Sequence, residues 1–193
     1  MQAGIFFHSV CGNTWRMARM FEQAFQRRGH QTRLARAADD SLGKLRQQFP
    51  VIEQSADQIM ACDVACAQDF LDADVLVLGS PTYFGNVSGA FKLLTDSTAD
   101  FWPQARLAGK PLLAFCSAGA LEGGADLCLN AIHTFGQHMG MVNIPVPCTL
   151  DLEISMPAYG IRHISGPLGD QRPSELVERM VDKWVDWFLH TWH

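Results

Sequence analysis

Short apolar runs alternate along the chain with longer amphipathic stretches, as expected of strands alternating with helices in a sheet covered on both faces. The run Val75-Leu76-Val77-Leu78-Gly79 is apolar at every position, which predicts a central parallel strand over residues 75–80, buried on both sides. Shorter runs predict strands at 4–8, about 31–34, 111–117 and about 141–146. Between the first two, Ala18, Phe21 and Phe25 recur at helical spacing over about 13–28, and Gly29 is placed to stop that helix. A last helix is expected to open at Pro173, with Leu176, Val177, Met180, Val181, Trp184, Val185, Phe188 and Leu189 as a stripe wide enough to cover a sheet. The polar, aperiodic stretch 37–55 reads as a surface excursion, leading into a helix near 57–70 with Ile59, Cys62, Cys66 and Phe70 on its apolar face.

Five strands joined by crossovers predict an α/β, doubly wound five-stranded parallel sheet of order 2-1-3-4-5, with helices on both faces. A chain of 193 residues, 48% hydrophobic and 18% charged, suits one globular domain spanning 1–193. No apolar run reaches the roughly 18 residues of a membrane span, and Met1-Gln2-Ala3 lacks the basic flank of a signal peptide, so the expectation is a cytoplasmic protein with no membrane partner. The cysteines Cys11, Cys62, Cys66, Cys116, Cys128 and Cys148 have irregular spacings without a CxxC pair; they read as thiols, with no metal site expected. A net charge of −5, with 15 dispersed Lys and Arg, argues against nucleic acid as a partner and leaves a small molecule.

In that topology a ligand binds beyond the carboxyl ends of strands one, three and four. After strand one come Ser9, Val10, Cys11, Gly12, Asn13 and Thr14, where hydroxyls, a glycine and the free amides of a helix start make a pocket for an anion. The loop holds no Lys or Arg and fits neither a Walker motif nor GxGxxG, so a terminal phosphate held by hydrogen bonds suits it. A plain turn uses the same residue types. After strand three come Pro81, Thr82, Tyr83, Phe84, Gly85 and Asn86, able to set amides and ring faces against a flat heterocycle. After strand four come Ser117, Ala118 and Gly119, then Gly123 and Gly124, which allow close approach of the main chain to a ligand. Cys11-Gly12-Asn13 is similar to the nucleophile loop of low-molecular-weight tyrosine phosphatases, but Cys11 and Arg16 bracket four residues where that family has five. A response regulator would need an Asp at the end of strand three, where this chain has Pro81-Thr82.

Taken together these loops resemble the flavodoxin-like NAD(P)H:quinone oxidoreductases of the WrbA type. Ser9, Gly12, Asn13, Thr14, Met17 and Ala18 match the family's S-x-x-G-N-T-x-x-M-A, and 79–86 match its G-S-P-T-x-[FY]-G-N. Leu107, Gly109, Lys110, Pro111, Gly140-Met141 and Tyr159-Gly160 extend the likeness over most of the chain outside 37–55. The resemblance implies a flavodoxin-like fold and FMN as cofactor, with its phosphate on residues 9–14 and its ribityl and ring on the other two loops. It further implies NAD(P)H as reductant, a quinone-like acceptor, and a homodimer or homotetramer. Relatives carry two adjacent histidines before the Gly-Met pair; here the order is His138-Met139.

No obligatory catalytic acid or base is expected, because the redox chemistry belongs to the cofactor. The alternative is an electron-transfer flavodoxin, which would favour clustered carboxylates over the scattered Asp and Glu seen here. His163 is expected near the ring site and His133 in solvent. Trp102 would stand near the flavin or cap the local core, while Glu122 and Asp126 would start a helix.

Overall fold

The computed structural model describes residues 1–48 and 50–192; Phe49, inside the expected excursion, and His193 lie outside the described residues. In chain order the elements are β1 (Gln2–Phe7), α1 (Asn13–Arg27), β2 (Gln31–Arg36), α2 (Leu42–Gln48), α3 (Pro50–Met60), α4 (Ala67–Asp72), β3 (Val75–Tyr83), β4 (Asn86–Val87) and α5 (Gly89–Asp96). A 3-10 helix (Ala99–Gln104) follows, then β5 (Pro111–Ala118), α6 (Ala125–His138), β6 (Val142–Asn143), β7 (Ile161–Ile164) and α7 (Glu175–Thr191).

Alternation of side chains along the strands divides the core in two. Ile5, Phe7, Val75, Val77, Leu113 and Phe115 face α1 and α7, whose Phe21, Phe25, Val181, Trp184 and Phe188 cover them. Phe6, Leu76, Leu78, Leu112, Ala114 and Cys116 face the opposite layer with Phe70, Phe91 and Leu129. The guanidinium of Arg28, at the end of α1, forks onto Asp182 of α7 at 2.8 and 3.0 Å and holds that carboxyl down to about 2. Apolar contact and charge thus both fix α1, the helix that carries the first loop. Among the described residues no helix is long and apolar enough to cross a membrane.

Among the described residues the sheet has seven strands, not five. Its path is β2-β1-β3-β5-β6, parallel throughout, with β4 folded back antiparallel on β3 and β7 parallel to β5. This is the flavodoxin-like α/β architecture. The expected single edge strand at 141–146 is corrected to two pieces. Ile144 still donates to Leu112 at 2.9 Å, but Pro145 has no N–H to continue the ladder, and Val146 turns to Ala158 instead. The chain returns to the sheet at β7, opposite Phe115 to Ala118.

Two further expectations change. The stretch 37–55 is largely helical: α2 and α3 form their own small core of Leu42, Ile52, Ala56 and Ile59, too few apolar positions to show a stripe in the sequence. The helix expected at 57–70 is broken, because Arg36 and residues 63–65 bond to each other as an extension of β2, with Arg36 N to Asp63 O and Ala65 N to Arg36 O both 2.8 Å. Cys66 is therefore exposed at the start of α4 rather than in the core, and Cys62 is only half-buried. The last helix begins at Glu175 with Ser174 at its N-cap, two residues beyond Pro173.

Gly79 of β3 lies beneath the ring of Phe115, where a Cβ would fall 2.0 Å from Cζ. Gly79→Ala is expected to destabilise the protein by about 1–3 kcal/mol through overpacking, a fall of several degrees in Tm by calorimetry. Adding Phe115→Leu should recover part of the loss.

Candidate functional site

The first loop leaves β1 and enters α1 through Gly12, the N-cap, which has a φ of +89° and a space where a Cβ would fall 2.3 Å from Ser55 Oγ. Glycine meets both demands. From Ser9 to Thr14 no backbone amide donates to an acceptor among the described residues, so six successive donors stand at the start of a helix. The Ser9 hydroxyl is likewise buried without a hydrogen-bond partner among the described residues. Unmade bonds of this kind are costly in a folded chain unless a ligand or solvent completes them. Thr14 Oγ1 lies 2.8 Å from Ser117 Oγ, a buried contact that ties the first loop to the one after β5.

These loops border one cavity of about 680 Å³, within the span of about 300–1,000 Å³ usual for small-molecule sites. The structure brings Ser9, Val10, Cys11, Asn13, Thr14, Pro81, Thr82, Tyr83, Ser117, Ala118 and Gly119 to its wall. Gly12, Phe84, Gly85, Asn86, Gly123 and Gly124 are not among its lining residues, and Phe84 is fully exposed. Phe84 and Gly85 form the tip of the β3–β4 hairpin, and a Cβ on Gly124 would fall 2.8 Å from the Gly85 Cα. Those two glycines let the second and third loops touch backbone to backbone.

Two parts of the wall went unread in the sequence. One is a strap at 165–170, with Leu168 exposed on it; the other is Leu45, Pro50, Val51 and Ile52 from the α2–α3 pair. The strap is bonded at both ends. Ser165 N and Oγ donate to Ala118 O, and His163 Nε2 donates to Gln171 O at 2.8 Å. At the other end Asn13 Nδ2 donates to Gly169 O at 2.7 Å, and Arg172 Nη1 donates to Cys11 O at 2.6 Å. The only readable signal was glycine: Gly166 and Gly169, both with positive φ, mark a tight connection before α7.

Among the described lining residues the ionisable side chains are Cys11, Tyr83 and the carboxylate Asp170. Burial pushes the Cys11 thiol and the Tyr83 phenol up, so both stay neutral at pH 7. His163 and His8 are buried outside the cavity lining, and burial holds both below the usual 6.5. His8 Nε2 donates to Asp39 at 3.0 Å; that bond acts in the opposite direction without reversing the effect. Met139 is buried at the C-cap of α6, away from the cavity. His133 is not simply solvated, since its Nε2 donates to Tyr159 O at 2.7 Å. Trp102 is 62% exposed on the 3-10 helix, and Asp126 pairs with Arg162 at 2.8 Å. All six cysteines are free, and no group of His, Cys, Asp or Glu among the described residues is arranged to hold a metal.

An amide-rich cavity at the switch point of a flavodoxin-like sheet, its first loop free of charged side chains, defines the class: a domain that holds a phosphorylated, flat ligand. The chain belongs to the NADPH-dependent FMN reductase family, whose pattern matches residues 7–150. It is 28% identical over 184 residues to a protein of Geotalea uraniireducens (strain Rf4) named NAD(P)H dehydrogenase (quinone), covering 91% of this chain and 89% of that one. Among solved structures it is similar to the flavodoxin, WrbA-like protein from Agrobacterium tumefaciens, with a TM-score of 0.62, 16% identity and 98% of each chain covered. Flavodoxin 2 from Bacillus cereus superposes with a TM-score of 0.65 at 14% identity over 100% of both chains. At those identities the structural likeness speaks for the fold. FMN fits the residues present, since a phosphate completes the orphaned amides and the Ser9 hydroxyl.

Because His8 and His163 titrate lower in the folded chain than in the unfolded one, the unfolded state binds more protons below about pH 6.5. Their contribution to stability is therefore complete above pH 6.5 and is lost as the pH falls toward their folded values. The Tm is expected to drop between pH 7.5 and 5.5, and the His8→Gln, His163→Gln double variant should give a flatter profile over that interval. An equal slope in both proteins would contradict the assignment.

Proposed function

We propose that the chain is an FMN-dependent NAD(P)H:quinone oxidoreductase, a single FMN-binding domain over residues 1–193 that acts on a small quinone-like acceptor. It works in the cytoplasm as a homodimer or homotetramer. The observation that carries this reading is the run of six amides from Ser9 to Thr14, without acceptors among the described residues, at a cavity whose first loop holds no charged side chain. Membership of the FMN reductase family and the relatives named NAD(P)H dehydrogenase (quinone) support the cofactors and the acceptor class.

Bound here, FMN supplies the two-electron redox chemistry between NAD(P)H and the acceptor. The chain's own residues bind, orient and exclude water. Residues 9–14 hold the phosphate through amides and the Ser9 hydroxyl. Pro81, Thr82 and Tyr83 stand on one side of the ring position, with Ser117, Ala118 and Gly119 on the other. Gly85 and Gly124 keep these two loops in contact, while Phe84, Asn86 and Gly123 lie on the same two loops outside the cavity lining. Donors after β5 can stabilise negative charge without a basic side chain. Cys11 and Tyr83 are neutral at pH 7, and because the redox chemistry belongs to the cofactor no wall residue is assigned as an obligatory acid or base.

Three measurements test the reading. The purified protein should carry a yellow chromophore identified as FMN after release. It should oxidise NAD(P)H steadily with a small quinone. Gly12→Val, which has no room beside Ser55, should weaken FMN binding about tenfold or more through displaced donors, with unchanged far-UV circular dichroism. Activity seen only with an added protein reductase would favour the electron carrier, and an FMN affinity untouched by Gly12→Val would remove the first loop from the site.

A further inference from the structure

The first loop contains no basic residue, yet the ligand proposed for it is a phosphate monoester carrying about −1.5 to −2 charges near neutrality. The α1 dipole offers the equivalent of about +0.5. More than a full negative charge is left without a counter-ion inside the loop, and the fold supplies a cation from far along the chain.

Arg172 lies between the strap and α7. Its Nη1 donates to Cys11 O at 2.6 Å, to Asn13 Oδ1 at 3.2 Å and to Gly169 O at 3.2 Å. Asn13 Nδ2 donates to the same Gly169 carbonyl at 2.7 Å. Both polar atoms of the Asn13 side chain are thus used in joining loop to strap, which leaves its main-chain N–H for a ligand. Because a trans peptide points C=O and N–H in opposite directions, fixing the Cys11 carbonyl also fixes the direction of the Gly12 amide. The guanidinium therefore sits one peptide away from the orphaned donors.

A second cation borders the same residues. Arg16 N donates to Gly12 O at 3.0 Å and its guanidinium lies over Trp15, 5.5 Å from the ring centroid. Its Nε is buried without a hydrogen-bond partner, and no carboxylate pairs with it among the described residues. Burial and the neighbouring Arg16 hold Arg172 below the usual arginine range, while Asp170 and Cys11 offset part of the effect. Two guanidinium groups bordering one loop repel each other, and an anion in that loop relieves the repulsion.

We propose that Arg172 sets the preference of this site for a phosphorylated flavin over the unphosphorylated one, acting as a positioning residue that orients the Cys11–Asn13 turn and brings a positive charge to it. The proposal rests on reading the cavity as an FMN site. A residue that merely pins the strap would support both flavins equally; a residue that compensates phosphate charge supports only FMN.

The test titrates flavin-free protein with FMN and with riboflavin, following flavin fluorescence at low and high salt, for the wild type, Arg172→Gln and Arg172→Lys. Melting temperature and circular dichroism establish that each variant folds. Arg172→Gln is expected to lose about tenfold or more in FMN affinity, a step of about 1.4 kcal/mol, while riboflavin affinity changes by less than about twofold. Its FMN affinity should also depend less on salt. Arg172→Lys, which keeps the charge but not the fork, should recover most of the loss. Equal losses for both flavins, an unchanged FMN affinity in Arg172→Gln, or an Arg172→Lys as weak as the Gln variant would overturn the proposal. A wild type that binds neither flavin would instead overturn the FMN reading on which it stands.

Discussion

A helix start that leaves its donors unpaired must be held in place by everything around it, and this constraint organises the molecule. The turn from β1 into α1 keeps six amides without acceptors among the described residues, which is tolerable only on a rigid support. Support comes from beneath, where Phe21 and Phe25 of α1 pack on Trp184 and Phe188. It comes from the side through Thr14 and Ser117, and from above through the strap that Asn13 and Arg172 hold. Three segments distant in sequence therefore meet on one short turn.

The lack of charged side chains in the first loop follows from the same arrangement. Main-chain donors and hydroxyls bind through direction rather than formal charge, and burial keeps the nearby thiol and phenol protonated. The histidines lie outside the cavity lining, His8 bonded to the Asp39 carboxylate and His163 to the Gln171 carbonyl. A site built this way delegates chemistry to its cofactor and keeps for itself the tasks of grip and orientation.

The central strands and the first helix were legible because their residues obey one period over a sufficient length: the unbroken Val75 to Leu78 run and the Ala18, Phe21, Phe25 spacing each admit one reading. The three loops were legible because strand order dictates where loops gather. The rest of the wall was hidden for specific reasons. Between 37 and 60 the chain folds on a miniature core of four buried side chains, below the threshold at which periodicity shows. The strap has no secondary structure, and its role depends on Arg172 reaching residues about 160 positions earlier, as its bond to Cys11 does with a separation of 161. The broken helix at 57–70 failed on a long-range pairing with Arg36 that no local pattern announces.

The divided edge beside β5 has a further consequence. An open, regular border on a parallel sheet presents a row of free main-chain groups on which a foreign strand can grow. Here β6 has two residues, the ladder stops at Pro145, and Pro147 follows closely, so no uninterrupted template of useful length remains on that side. The proline-rich detour therefore also guards against fibrous assembly, protecting the chain while its apolar sheet is still being covered.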